Sequence, residues 1–77
     1  MGGYVVVSSI TYAYKGRDIL ERKGCRVRVE RAPKEISSCG CHFLLMIRNY
    51  PLQQAVALLD AAHVRIIKSG GDYNDLL

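Results

Sequence analysis

Two segments of helical period lie among four of strand period in the order β-α-β-β-α-β, which predicts an α+β fold. The expected architecture is a ferredoxin-like two-layer sandwich, with a four-stranded antiparallel sheet carrying both helices on one side. Three observations carry this expectation: a β-branched run near the N-terminus, an unbroken alternation of apolar and charged residues at 25–31, and an apolar helical face that begins at Pro51. Right-handed crossover connections favour the same arrangement.

Residues 4–10, Tyr-Val-Val-Val-Ser-Ser-Ile, have the composition and length of a strand. Thr11 is a suitable N-cap, and Ala13, Gly16, Ile19 and Leu20 then recur at spacings of three and four, which predicts a helix over 11–23. Gly24 supplies the stop. Gly16 costs that helix about 1 kcal/mol relative to Ala, so its presence points to a close approach between helix and sheet. In residues 25–31, Cys25, Val27 and Val29 alternate with Arg26 and Arg28, giving a strand with one face inward and one outward. Residues 32–40 contain Pro33, Ser37, Ser38 and Gly40 and read as a loop, and 42–48 return as the third strand. Pro51 suits the first position of a second helix, whose face is Leu52, Ala55, Val56, Leu59 and Ala62. Residues 64–68 give the last strand. The folded core is expected over 4–69 of a single domain, 1–77, with 70–77 a polar tail.

With the first and third strands central, the residues facing away from the helices are Tyr4, Val6, Leu44, Met46, Arg26, Arg28, Arg65 and Ile67. An exposed apolar stripe rimmed by arginines would result, and such a stripe marks a partner or homodimer surface. An RNA-reading sheet would place stacking aromatics where Leu44 and Met46 stand, so nucleic-acid binding is disfavoured.

Composition narrows the class further. An apolar fraction of 49% and a charged fraction of 23% are those of a globular domain, and the longest apolar run, 43–47, falls far short of the about 20 residues a bilayer requires. Net charge is +4, with six of the eleven Lys and Arg residues between Arg17 and Arg31. No secretory signal or myristoylation pattern is visible, and three cysteines cannot build a fully paired disulfide framework. A reducing, cytoplasmic setting is expected. No Ser-His-Asp set, paired carboxylates, phosphate-cradling glycine loop or cofactor motif can be assembled, so neither a self-sufficient enzyme nor a cofactor is expected.

Chemistry concentrates in Ser37-Ser38-Cys39-Gly40-Cys41. Cys25 sits on an inward strand position and reads as a small buried hydrophobe. Cys39 and Cys41 instead flank a glycine at a loop-to-strand junction. In an extended chain their Cα atoms are about 6.5 Å apart, near the limit of about 6.8 Å for an unstrained disulfide. A bond there would be readily reduced, which suits transient sulfur chemistry. Lys34, Arg31 and His42 are the nearby cations able to favour a thiolate, and Ser37 and Ser38 can donate hydrogen bonds to it. Cys39, Cys41 and His42 also form an alternative metal set, although a fourth ligand is missing locally. Cys25 and His63 are the only other soft or borderline candidates.

The stretch Ala32-Pro33-Lys34-Glu35-Ile36-Ser37-Ser38-Cys39-Gly40 resembles the small-domain family described as selenium/sulfur carrier-like. The likeness covers nearly the whole chain, including the N-terminal strand, Thr11-x-Ala13, Ile19-Leu20 with Gly24, and the final helix and strand. It implies a carrier that takes sulfane sulfur or selenium onto Cys39 from a cysteine desulfurase-type donor and passes it to an acceptor protein. Cys41 departs from the family pattern, where an aliphatic residue is expected after Cys-Gly, and it introduces a thiol able to resolve a persulfide on Cys39. A non-catalytic interaction module built on the sheet face, and a small metal-binding domain, remain the alternatives.

Overall fold

The β-branched run Val5-Val6-Val7 lies at the centre of the sheet in a computed structural model that describes residues 2–34 and 42–71. Its elements are β1 (Gly2–Val7), α1 (Ile10–Glu21), β2 (Arg26–Arg31), β3 (Phe43–Arg48), α2 (Leu52–Ala61) and β4 (Ile66–Gly70). All four strands pair antiparallel in the order β2-β3-β1-β4, so the first and third are central, as predicted. The fold is the two-layer ferredoxin-like sandwich.

One face of the sheet meets the helices. Val5 and Val7 from β1, Leu45 and Ile47 from β3, Ala13 and Leu20 from α1, and Ala55 and Leu59 from α2 form the main core, joined by Cys25 and Val64. Each fully buried Leu or Val in that set contributes about 1.5–3 kcal/mol relative to exposure. Gly16 is buried where α1 crosses this layer. A Cβ there would stand 2.9 Å from a methyl of Leu45 and 3.1 Å from one of Leu59, so the missing side chain sets the spacing between helix and sheet. The helix-weakening glycine is the condition for close packing.

The helix boundaries differ from the sequence reading at their starts. Ser9, not Thr11, caps α1: its backbone is extended and its hydroxyl accepts a hydrogen bond from the Tyr12 N–H at 3.2 Å. The first strand accordingly ends at Val7 and gains Gly2 and Gly3, which pair with Arg48 and Ile47. Pro51 precedes α2 as its N-cap, with ψ near 130°, and is not its first helical residue. Its carbonyl accepts the first helical bond from Ala55 at 3.0 Å.

Both helices stop in the same way. After α1, Gly24 takes φ +88°, its N–H bonds to the Glu21 carbonyl, and the Cys25 N–H bonds to the Leu20 carbonyl at 3.1 Å. After α2, His63 takes φ +64°, its N–H bonds to the Asp60 carbonyl, and the Val64 N–H reaches the Leu59 carbonyl at 2.9 Å. Each is a Schellman stop, in which a left-handed residue turns the chain and the next side chain packs back on the helix. The pairs Leu20 with Cys25 and Leu59 with Val64 supply those apolar closures inside the main core. His63 thus occupies a position that favours glycine.

The outer face departs from expectation. By register Tyr4, Val6, Leu44 and Met46 do face away from the helices, but Tyr4 is 4% exposed and Val6 and Leu44 are fully buried. With Ala32 they make a second small core, against which Met46 packs. The exposed apolar stripe predicted from sequence is therefore absent. Alternation assigns a residue to a face of the sheet, but it does not assign that face to solvent. The last strand also runs later than predicted, to Gly70, because Gly70 lies opposite Tyr4 and the tyrosine ring fills the space where a Cβ would stand. A register shift between Val6 and Val7 leaves Ile67 as the extra residue of β4, 45% exposed.

Two stability measurements test these assignments. Ser9→Ala should lower the unfolding free energy by about 1 kcal/mol, whereas Thr11→Ala should change it by less than about 0.5 kcal/mol; the reverse order in urea titrations would return the cap to Thr11. His63→Gly should raise stability by up to about 1 kcal/mol by relieving the left-handed backbone, and a lowered melting temperature would contradict the stop described here.

Candidate functional site

The segment that carries Cys39 and Cys41 lies in sequence between β2 and β3, which pair with each other. The ladder runs from Arg26 opposite Arg48 to Arg31 opposite Phe43, and one further bond, from the Ala32 N–H to the His42 carbonyl at 3.0 Å, extends it toward the loop. Ala32 is itself buried in the second core, so the chain leaves the sheet from an anchored position. Ser37, Ser38, Cys39, Gly40 and Cys41 lie outside the described residues. Of the flanking residues proposed to support them, Lys34 is exposed, and His42 is half-buried with its carbonyl engaged in the ladder. Arg31 is exposed at the last paired position of β2.

Cys25 differs in kind. It is free, 5% exposed and part of the main core. Burial pushes its thiol pKa up, and a backbone hydrogen bond offsets this only in part. The raised value has a definite sign for stability. Folded protein keeps the Cys25 proton above the ordinary thiol range while unfolded chain releases it, so the contribution is complete below that range and declines as pH rises through it. A thiol held in this way is a poor nucleophile, because the thiolate is the reacting species.

Among the described residues no group of three or more His, Cys, Asp or Glu side chains is placed to hold a metal ion. Cys25 is committed to the core, and His63 is an exposed helix-stop residue, which gives each a structural role. Of the alternative set Cys39, Cys41 and His42, only His42 lies among the described residues. No described helix is long and apolar enough to cross a membrane.

One constellation escaped the sequence reading. Arg26, Arg28 and Arg48 line a shallow groove of about 190 Å³ on the outer face of the sheet, with Val27 and Met46 completing it. The alternating arginines of β2 were legible as outward residues, but Arg48 lies far along the chain, and only the strand register places it opposite Arg26.

Thiol burial is directly testable. Under native conditions at mildly alkaline pH, intact-mass spectra with iodoacetamide should show Cys25 as the last of the three cysteines modified, and denaturant should remove the difference. Peptide mapping that finds Cys25 labelled first would refute its assignment to the core. Comparison with family models, with curated proteins and with solved structures finds no match to this chain.

Proposed function

We propose that the chain is a sulfur or selenium carrier that holds the atom on Cys39. The observation that carries the reading is the commitment of Cys25 to the core, which gives that thiol a structural role and sets it apart from the Cys39-Gly40-Cys41 pattern. Cys25 is sealed in the core, while Cys39 and Cys41 belong to the segment joining β2 to β3, whose ends the Ala32 to His42 hydrogen bond brings together. The likeness of the Pro33 to Gly40 stretch to the carrier-like family supports the same assignment.

The chemistry balances with a persulfide donor. The Cys39 thiolate attacks the terminal sulfur of the donor's persulfide, the donor's S–S bond breaks, and the donor cysteine leaves as a thiolate. Cys39 then bears the persulfide, and a nucleophile on the acceptor protein takes the terminal sulfur and releases the Cys39 thiolate. Selenium follows the same route from a selenosulfide donor. Cys41 adds a second exit. Its thiolate attacks the inner sulfur of the Cys39 persulfide, expelling hydrosulfide and forming the Cys39–Cys41 disulfide, so the dithiol is oxidised as sulfane sulfur is reduced. Arg31, Lys34 and His42 are the local groups that would favour the thiolate forms, and Ser37, Ser38 and Gly40 would offer hydrogen-bond donors.

Incubation with a cysteine desulfurase and cysteine tests the carrier. Intact mass should rise by one sulfur atom in the wild-type protein and stay unchanged in Cys39→Ala, while Cys41→Ala should accumulate the adduct for longer than wild type. No added sulfur on wild type, or equal addition to Cys39→Ala, would overturn the proposal.

A further inference from the structure

We infer that the groove formed by Arg26, Arg28 and Arg48 is a binding site for a phosphate-type oxyanion, either inorganic phosphate or a phosphomonoester. The register makes the case. Arg26 and Arg48 are direct cross-strand partners on one face, and Arg28 follows one step along the same face, opposite Met46. The hydrogen bond between Ala32 and His42 fixes the phase of the antiparallel ladder, because bonded pairs recur at every second residue. Arg26 and Arg48 therefore form a hydrogen-bonded pair, with Cα atoms about 5.5 Å apart. Like charges placed directly opposite on a sheet destabilise it. A dianion between them reverses the sign of that interaction.

The local surroundings favour such an anion. Both Arg26 and Arg48 are exposed, and the side chain of Arg28 is 76% exposed, so the guanidinium groups are free to orient. Among the described residues, the acidic contact to this cluster is Glu30, 3.8 Å from the Nε of Arg28. Glu30 is a step further along the strand, opposite Leu44, on the side of Arg28 away from the Arg26–Arg48 pair. The phase that bonds Arg26 to β3 also turns the Val27 N–H and C=O toward the edge of β2 with which no described strand pairs, so a backbone donor borders the groove. Guanidinium forks match phosphate oxygens bidentately, and three around a groove of about 190 Å³ suit one phosphate group with a small substituent. The inference rests on the β2–β3 register alone and holds whether or not Cys39 carries sulfur.

Phosphate titration at constant ionic strength, followed by NMR of backbone amides and arginine Nε–H groups, tests the site. Saturable shifts should appear at Arg26, Arg28, Arg48 and Val27 with inorganic phosphate, with glycerol phosphate, or with both, and the stronger of the two identifies the source. The Arg26→Gln/Arg48→Gln double variant should bind about tenfold more weakly or worse, and Arg17→Gln should bind as wild type. Thermal unfolding supplies the independent readout. In chloride alone, Arg48→Gln should unfold at the same or a higher temperature than wild type, and it should lose the rise that phosphate produces in wild type. Drift that chloride reproduces, or binding confined to a single-stranded oligonucleotide with none to phosphate or glycerol phosphate, would overturn the inference.

Discussion

The antiparallel pairing of β1 with β3 is the constraint on which the rest of the molecule depends. Six consecutive pairs, from Gly2 opposite Arg48 to Val7 opposite Phe43, assign every side chain of the two central strands to one of two faces. Val5, Val7, Leu45 and Ile47 go to the helix layer, and Tyr4, Val6, Leu44 and Met46 go to the other. A slip of one residue would turn one of the two strands over, bringing either Tyr4 or Met46 into the helix layer, where α1 at Gly16 packs closely on the methyl groups of Leu45 and Leu59. The missing Cβ of Gly16 therefore helps to specify the sheet register as well as helix spacing. Because β3 also pairs with β2, the same register determines which residues of β2 meet Arg48.

Much of this was legible in the sequence because the relevant signals are local. The three-and-four spacing of Ala13, Gly16 and Leu20, the alternation through Val27 and Val29, and Gly24 as a stop each act within a few residues of themselves. The failures share a physical cause. Thr11 and Ser9 are both chemically competent caps, and the choice between them depends on where β1 must end to pair with β3. His63 gives no compositional sign that it will adopt the conformation usually left to glycine; the demand comes from Val64, which must turn back on Leu59 to close the core. The sequence reading placed Gly70 at the start of the polar tail, yet its lack of a side chain is what admits the ring of Tyr4.

The outer face illustrates the same limit at the level of function. A period of two identifies the residues that point away from the helices, and an open sheet leads one to place them in water. Tyr4, Val6 and Leu44 are buried there, so an association surface cannot be read from their apolar character. Among the described residues, most of what stays exposed on that face is cationic, at Arg26, Arg28, Arg48 and Lys68, with Glu30 beside Arg28. The burial of Cys25 was legible by contrast because it follows from local strand alternation, whereas the Cys39-Gly40-Cys41 pattern lies outside the described residues.

The arginine groove and the thiol segment occupy opposite ends of the β2–β3 hairpin. Arg26 and Arg48 close its far end, five residues along β2 from Arg31, a span of about 17 Å at about 3.4 Å per residue. Physiological salt screens exposed charges over about 8 Å, so the Arg26–Arg48 pair has little influence on the ionisation of a thiol beyond Arg31. On the proposed reading, thiolate stabilisation would come from groups nearer the cysteines in sequence, namely Arg31, Lys34 and His42. An anion bound in the groove would leave the electrostatic environment near Arg31 nearly unchanged while stabilising the β2–β3 ladder. Any coupling between the two ends would therefore travel through the stability of the β2–β3 ladder and not through direct charge interaction.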